Sequence, residues 1–391
     1  MKRITAKWLK EPALQQVFAI IAAAGGDTRV AGGALRNAIM GIPVGDVDLA
    51  TTLSPQKVTE LFVSAGHSVY PTGIDHGTVT VAVDTHSFEV TTLRRDVATD
   101  GRRAVVSFTD DWMQDALRRD FTMNALYCDA NGKIFDYTNG YDDILRNRIM
   151  FVGVASQRIK EDYLRILRYF RFLAVYPSLK ADKAGLAACI KLKSGLRTLS
   201  AERISQEMFK LLAGPKAVPV LKVMAANRVL ENIIPHTDDF RAIGRLPADA
   251  LLRAFVLAKN PATLPEKWRL SNGQVKRIEG LLDMGAPSPK LRVNEQRRIL
   301  YGVGFQAWAD SVSVVWARSR APLNDPAWKR MITLPKRWQV PVFPVSGRDL
   351  IEIGHVPGPA MGMDLKQLEE RWIASDFKPT KQDLLESLRG T

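Results

Sequence analysis

Gly32-Gly33-Ala34-Leu35-Arg36-Asn37, followed by Gly45-Asp46-Val47-Asp48-Leu49, is the stretch on which the reading of the fold turns. A diglycine lets backbone N–H groups approach a phosphate without interference from Cβ, and a helix beginning there would aim its positive end at the same anion. Two aspartates spaced i and i+2 on a strand project from one face, so Asp46 and Asp48 are placed to share cations. Mg2+ suits them, because it takes hard oxygen ligands, commonly one or two carboxylates together with substrate phosphates. In a two-metal site the ions stand roughly 3.5–4 Å apart, one activating the attacking hydroxyl and the other neutralising the leaving pyrophosphate. Glu89, between Phe88 and Val90, is a candidate third carboxylate, since a charge among apolar neighbours must be paired, turned to water or bound to metal. Taken one at a time, each part has a plainer reading: a turn, a solvated strand end, an outward-facing acid. In this order and together they point to metal-assisted phosphate chemistry.

The composition around this stretch narrows the setting. At 391 residues the chain is too long for one core, so several domains are expected. Hydrophobic residues at 46% and charged residues at 25% describe a globular protein rather than a disordered one. A net charge of +14 and a sequence pI near 9.8 favour a polyanionic partner, a solvated basic surface being the alternative. Cys128 and Cys189 stand in unrelated contexts, which gives neither a disulfide framework nor a zinc site and fits a reducing cytoplasm. Leu14, Val17, Phe18 and Ile21 keep helical spacing, so the N-terminal segment reads as an amphipathic helix rather than a secretory signal. No apolar stretch reaches spanning length, and no membrane association is expected.

Up to residue 150, short β-branched runs such as 78–83 and 88–92 mix with helical patterns; beyond it the strand signals fade. Over 156–176, Ile159, Tyr163, Ile166, Leu167, Phe170 and Leu173 follow a three-and-four spacing that predicts one continuous helix. A second helix is predicted after Ser200, whose hydroxyl can cap free backbone donors, with Glu202 in its first turn. Breaks are expected at Gly214-Pro215, at 286–289 and in the Pro-rich stretch 335–344. The fold class is α+β, a mixed head followed by a long helical array.

The motifs resemble the class II tRNA nucleotidyltransferase and bacterial poly(A) polymerase family, a branch of the DNA polymerase β-like nucleotidyltransferases. The resemblance rests on Gly32-Gly33 through Asp46 and Asp48, then Glu89-Val90-Thr91-Thr92-Leu93-Arg94, then Arg118-Arg119-Asp120-Phe121-Thr122-Met123-Asn124-Ala125. It continues through 136–140 with Asp143, Glu161-Asp162-Tyr163-Leu164-Arg165, and Ser200-Ala201-Glu202-Arg203, so that it covers most of the chain. It implies a polymerase β-like head with a mixed sheet over 1–150, then an all-helical neck (151–214), body (215–288) and tail (289–391). The implied activity is addition of CCA to the 3′ end of tRNA, using CTP, ATP and Mg2+ in a two-metal site. Asp46 and Asp48 would hold the metals, with Glu89 as a third carboxylate. Gly32, Gly33, Arg36, Arg119, Asp120 and Asn124 would meet the triphosphate and ribose, and Glu161, Asp162, Arg165 and Arg168 would complete the nucleotide site. A carboxylate or amide at the 2′-hydroxyl favours NTP over dNTP; a structural Arg119–Asp120 ion pair is the other reading.

Asp162 and Arg165, i and i+3 on the predicted helix, would rise on one face and grip the edge of one planar base. Cytosine and adenine each offer an exocyclic amine beside a ring-nitrogen acceptor, whereas uracil and guanine offer a carbonyl beside a ring N–H. A carboxylate that only accepts, next to a guanidinium that only donates, therefore pairs with C and A and opposes U and G like to like. Glu161 would position Arg165; from periodicity alone, a solvated salt-bridged face stays open. In the family the change from C to A depends on a loop after the Glu89 strand, here 96–115, where Asp100, Gly101, Arg102 and Arg103 are polar and flexible in character. Asn139-Gly140 stands where relatives commonly have Gly-Gly, and Asn tolerates the left-handed backbone such a turn needs. Met123 replaces a β-branched residue at an expected core position. Two rivals remain. A poly(A) polymerase typically carries a basic strand with a His-Val step where this chain has His76-Gly77-Thr78-Val79. A non-catalytic RNA-binding protein with a degenerate head is opposed by the intact carboxylates. The segment 347–359 resembles the family's tail region, without an assigned contact.

Overall fold

The computed structural model describes residues 2–99 and 104–389. The chain divides into two compact units, Met1–Ile234 and Pro235–Thr391.

In the first unit the strands are β1 (Thr28–Ala31), β2 (Leu49–Thr51), β3 (Ser68–Gly73), β4 (Thr78–Val83), β5 (His86–Thr92), β6 (Arg94–Thr99), β7 (Ala104–Phe108), β8 (Leu126–Cys128) and β9 (Ile134–Asp136). Seven of them form one sheet in the order β3-β4-β5-β2-β1-β8-β9, while β6 and β7 pair with each other. Within the large sheet β2 and β5 run parallel and the remaining neighbours antiparallel, which gives the mixed sheet expected of the head. The runs predicted at 78–83 and 88–92 are β4 and the body of β5. Val79, Val81 and Val83 alternate with half-buried neighbours, as a strand with one buried face requires. That face is covered by α1 (Pro12–Ala23), whose Leu14, Val17, Phe18 and Ile21 are all buried, while α2 (Gly33–Ile39) follows β1 and α3 (Pro55–Ser64) follows β2. The turn into α5 (Gly140–Leu145), after α4 (Trp112–Leu117), has Asn139 left-handed at φ 63 as expected. Gly140 is fixed by space, since a Cβ there would fall 2.0 Å from the Thr122 carbonyl oxygen. Met123 is fully buried.

The rest of this unit is helical apart from a two-stranded pair, Arg148–Ile149 with Lys180–Ala181. The predicted single helix over 156–176 is instead two, α6 (Ala155–Glu161) and α7 (Leu164–Val175). The chain turns extended at Asp162, φ −153 and ψ 107. The cause is local: the Asp162 carboxylate accepts the Leu164 N–H at 3.0 Å and the Arg203 guanidinium at 2.8 Å, competing with the helix for the backbone. After α8 (Lys183–Lys191), α9 (Ala201–Ala213) starts where predicted, with Ser200 accepting from the Arg203 N–H at 3.4 Å and Glu202 in the first turn. Gly214-Pro215 separates it from α10 (Ala217–Ala226).

The second unit is built from α11 (Phe240–Arg245), α12 (Ala250–Leu257), α13 (Leu264–Lys267), α14 (Asn272–Asp283), α15 (Val293–Arg318, broken by a kink at Gly304, φ 81 and ψ 170), α16 (Pro326–Arg337), α17 (Gly347–Glu352), α18 (Pro359–Ala374) and α19 (Lys381–Arg389). The expected break at 335–344 comes later than its first proline: Pro335 lies inside α16, and the chain leaves the helix at Trp338. Pro335 has no N–H for the Met331 carbonyl four residues earlier, but the buried Trp308 indole donates to that oxygen at 2.9 Å. Two apolar clusters organise the unit, one around Trp308, Trp328 and Met331, the other around Leu350, Leu368 and Trp372. Among the described residues no helix is long and apolar enough to cross a membrane.

Candidate active site

In the first unit a cleft of about 960 Å³ gathers residues from the β1–α2 turn, the start of β2, β5, and the facing helices α7 and α9. Its acidic end follows from strand pairing. Leu49 of β2 lies opposite Val90 of β5 in a parallel register, and both are buried. The residues before them, Asp48 and Glu89, therefore stand side by side on the other face, exposed to the cleft. Asp46 and Asp48 are not in the strand itself but in the irregular segment leading to it, where the Asp48 carbonyl accepts the Ala31 N–H at 2.9 Å. Asp46 does not line the cleft, yet its charge reaches Asp48. Loss of water around Asp48, then the charges of Glu89 and Asp46, raise its carboxyl above the usual range, with Arg119 opposing. Among the described residues, no three His, Cys, Asp or Glu side chains gather tightly enough to hold a metal by themselves. The donor set nonetheless suits a hard divalent cation, which needs only one or two carboxylates when phosphate oxygens complete its shell.

Gly32 and Gly33 both border the cleft. Gly32 sits at φ 68, and a Cβ there would meet the Asn124 carbonyl oxygen at 3.3 Å and Arg119 Nη1 at 3.4 Å. Its N–H is already given to the Leu126 carbonyl at 3.1 Å, so amides available to an anion begin at Gly33.

The expected alternative for Arg119 and Asp120, an ion pair with each other, is not what forms. Arg119 pairs with Asp115 at 3.0 Å and also donates to the Tyr127 hydroxyl at 3.0 Å and the Asn124 carbonyl at 3.2 Å. Asp120 pairs with Arg168 at 2.6 Å and accepts from Asn124 Nδ2 at 3.0 Å and the Phe121 N–H at 2.8 Å. Burial alone would raise the Asp120 carboxyl, but Arg168, Asn124 and the Phe121 amide outweigh it and hold it below the usual range. Asn124 Oδ1 in turn accepts from Arg36 at 2.6 Å, and Arg36 donates to the Tyr176 hydroxyl at 2.5 Å. Arg36, Asn124, Asp120 and Arg168 thus form one unbroken chain along the cleft.

Asp162 and Arg165 also border the cleft, but not as neighbours on one helix, because Asp162 lies in the break before α7. Glu161 holds Arg165 at 2.7 Å across that break, and Arg165 also donates to the carbonyls of Arg158 at 2.8 Å and Arg118 at 3.0 Å. The cleft has further cations: Arg94, Arg118 and Arg203, which stand in the quoted motifs without an assigned role, and Arg171 and Lys210, which the sequence reading did not single out. A signal for some was present. Arg168, Arg171 and Phe172 keep three-and-four spacing on α7, and Arg203 and Lys210 stand two turns apart on α9, a polar stripe with the period of a buried one. Asp100, Gly101, Arg102 and Arg103 lie outside the described residues.

Comparison with known proteins places this geometry. The family described as "Poly A polymerase head domain" matches residues 28–150, and "Probable RNA and SrmB- binding site of polymerase A" matches 178–241. The mitochondrial CCA tRNA nucleotidyltransferase 1 of Homo sapiens is 35% identical over 390 residues, covering 93% of this chain and 87% of its own. The CCA-adding enzyme of Streptococcus sanguinis is 31% identical, covering 89% of this chain and 90% of its own. The crystal structure of the Bacillus stearothermophilus CCA-adding enzyme in complex with CTP superposes with a TM-score of 0.79 at 27% identity, covering 97% of this chain and 98% of its own. With motifs, fold and identity in agreement over most of its length, the chain belongs to the family of the CCA tRNA nucleotidyltransferases.

Proposed function

We propose that the protein adds CCA to the 3′ end of tRNA from CTP and ATP, releasing pyrophosphate. The observation that carries this reading is the meeting, in one cleft, of the Asp48–Glu89 acidic end with an arginine-lined wall and the Asp162–Arg165 pair. Asp46 and Asp48 would hold the divalent cation, Mg2+ in this proposal, with Glu89 beside them; when bound it supplies charge neutralisation at the phosphates and a more acidic attacking hydroxyl. The chain's own residues do the rest. Arg119 and the amides from Gly33 onward face the triphosphate, held in place before substrate arrives. Asp120 and Asn124, locked to each other and to Arg36 and Arg168, present a fixed polar edge to the ribose. Asp162 offers an acceptor and Arg165 donors to the edge of the base, which suits C and A and leaves U and G with unpaired groups. Positioning and electrostatics suffice, and no covalent enzyme intermediate is needed.

The human relative is named for tRNA, and the excess of basic residues on this chain supports the same partner, gripped by phosphate contacts. In this reading 1–150 is the catalytic head, 151–214 the base-reading neck, and 215–288 and 289–391 the body and tail that hold the RNA, with the cytoplasm as the site of action. The test is to supply CTP and ATP to the protein with a tRNA lacking its end and to size the product. Arrest after CCA is expected, and Asp48→Ala should abolish it while tRNA binding persists. A long ladder with ATP alone would instead establish the poly(A) reading, which the description of the matching head family keeps in view.

A further inference from the structure

The second unit has its own cavity, about 190 Å³, bordered by Asn294 and Arg297 from the first turns of α15, Trp338 and Gln339 after α16, and Asp376 and Phe377 after α18. Three separate observations single it out. The Arg297 guanidinium lies 5.6 Å from the Trp338 ring centre, and its Nε is buried with no hydrogen-bond partner among the described residues. A buried N–H left unpaired is costly, and the arginine that carries it borders the cavity.

The backbone beside it is strained. Asp376 and Phe377 both adopt left-handed conformations, φ 56 and 61. The end of α18 has the Phe377 N–H on the Trp372 carbonyl at 2.9 Å and the Asp376 N–H on the Ile373 carbonyl at 3.1 Å, a closure that usually places glycine at the first of these positions. Here Asp376 is pinned instead by Arg298 at 2.7 Å and Asn294 at 2.6 Å, and the result sets the Phe377 ring 5.4 Å from Trp338. The ion pair thus holds the left-handed turn that brings Phe377 to the cavity. Third, exposed cations flank the rings in sequence, Arg337 before Trp338 and Lys378 after Phe377.

An aromatic face, the Arg297 guanidinium at its edge, a side-chain amide at Gln339 and flanking cations match a flat ring carrying acceptors with a phosphate attached. The volume admits one such ring. We propose that this cavity receives a single unstacked nucleobase of the RNA substrate, stacked on Trp338 with an acceptor at Arg297 and its phosphate near Arg337 and Lys378. The proposal rests on the reading of the chain as an enzyme acting on RNA.

The test uses the full chain and tRNA lacking its terminal CCA. Kd is measured at fixed salt for the wild type, Arg297→Gln, Trp338→Leu and Trp338→Phe, with Tm recorded for each. Arg297→Gln and Trp338→Leu should raise Kd about tenfold, equivalent to ~1.4 kcal/mol, and Trp338→Phe, which keeps a stacking face, by less than about threefold. KM for CTP at saturating tRNA should not move. Ultraviolet cross-linking should attach a nucleotide to the peptide holding Trp338 or Phe377. Wild-type Kd in Arg297→Gln, at wild-type Tm, would overturn the proposal, as would cross-links confined to other peptides. The two readings fail separately: tRNA bound through this cavity without nucleotide addition sinks the activity, whereas normal addition with an insensitive Kd sinks the cavity.

Discussion

Asp115→Asn tests how the cleft is held together. Asp115 is 1% exposed and accepts from Arg118 at 2.8 and 2.6 Å, from Arg119 at 3.2 and 3.0 Å, from the Tyr127 hydroxyl at 2.6 Å and from the Arg94 N–H at 3.3 Å. Burial alone would raise its carboxyl; Arg119, Arg118 and the Tyr127 hydroxyl outweigh that and hold it down at about 2, against 3.8 for a free side chain. A folded-state value below the unfolded one means stability that is complete above the unfolded pKa and is lost as pH falls through the folded one. The window therefore runs from about pH 4 down to about 2, and the charge-linked part is on the order of 2 kcal/mol. Asparagine keeps the shape, removes the charge and turns one acceptor into a donor facing guanidinium groups. The total cost at neutral pH should then reach roughly 3–5 kcal/mol, the range for breaking a buried pair. Denaturant midpoints for both proteins from pH 7 to 2.5 give the measurement. The gap should be widest at neutral pH and narrow below pH 4, and KM for both nucleotides should rise about tenfold, since Arg118 and Arg119 lose their anchor. A gap under about 1 kcal/mol at pH 7, or one that widens on acidification, would refute the reasoning.

Other substitutions probe separate links. Gly140→Ala drives a Cβ against the Thr122 carbonyl, 2.0 Å away, and should cost about 1–3 kcal/mol or prevent folding; an unchanged Tm would deny the close approach. Arg203→Gln releases the Asp162 carboxylate that it holds at 2.8 Å, and the ratio of kcat/KM for CTP over UTP should fall about tenfold, whereas a constant ratio would leave Asp162 without a part in base choice. Trp308→Phe removes the donor on the Met331 carbonyl and should cost about 1–3 kcal/mol. In a Pro335→Ala background, where the backbone supplies its own N–H, that cost should shrink, and equal costs in both backgrounds would contradict the account of the proline.

The parts legible in the sequence are those whose signal is periodic or local. The run 78–83 reads as a strand because alternate valines must be buried, and Asn139 reads as left-handed because few other residues accept that backbone. The helix break at Asp162 was not legible for a definite reason. Ile159 and Ile166, seven residues apart, are both fully buried, so the apolar spacing runs straight across the break. What interrupts the helix is a side chain capping the Leu164 amide and drawn toward Arg203, which is distant in sequence. Arg119 offered two acidic partners, Asp115 and Asp120, and the choice was settled by Arg168, 48 positions away, taking Asp120. Periodicity carries no information about such pairs.

In the proposed function, the pairing pattern would let one cleft both read a nucleotide and gather the charge needed for transfer. Asp115 and Asp120 are held below their ordinary range by arginines, and Asp162 is held by Arg203, so each has a fixed direction before any substrate enters. Asp48 is the reverse case, raised by water lost around it and by the carboxylates of Glu89 and Asp46, with only Arg119 pulling the other way. Ion-paired carboxylates lose little by desolvation when the cleft is filled, and in the proposed reading they would keep the sugar and base edges in register. The acidic end is different, because a cation, where the proposed function places one, would relieve the repulsion among its carboxylates. A substitution among the paired acids should therefore disturb KM and base choice, whereas one at Asp48 should strike kcat. Had these arginines formed ion pairs with Asp48, as Arg118 and Arg119 do with Asp115, a cation would have had to displace them, and the two tasks would have competed for one set of charges.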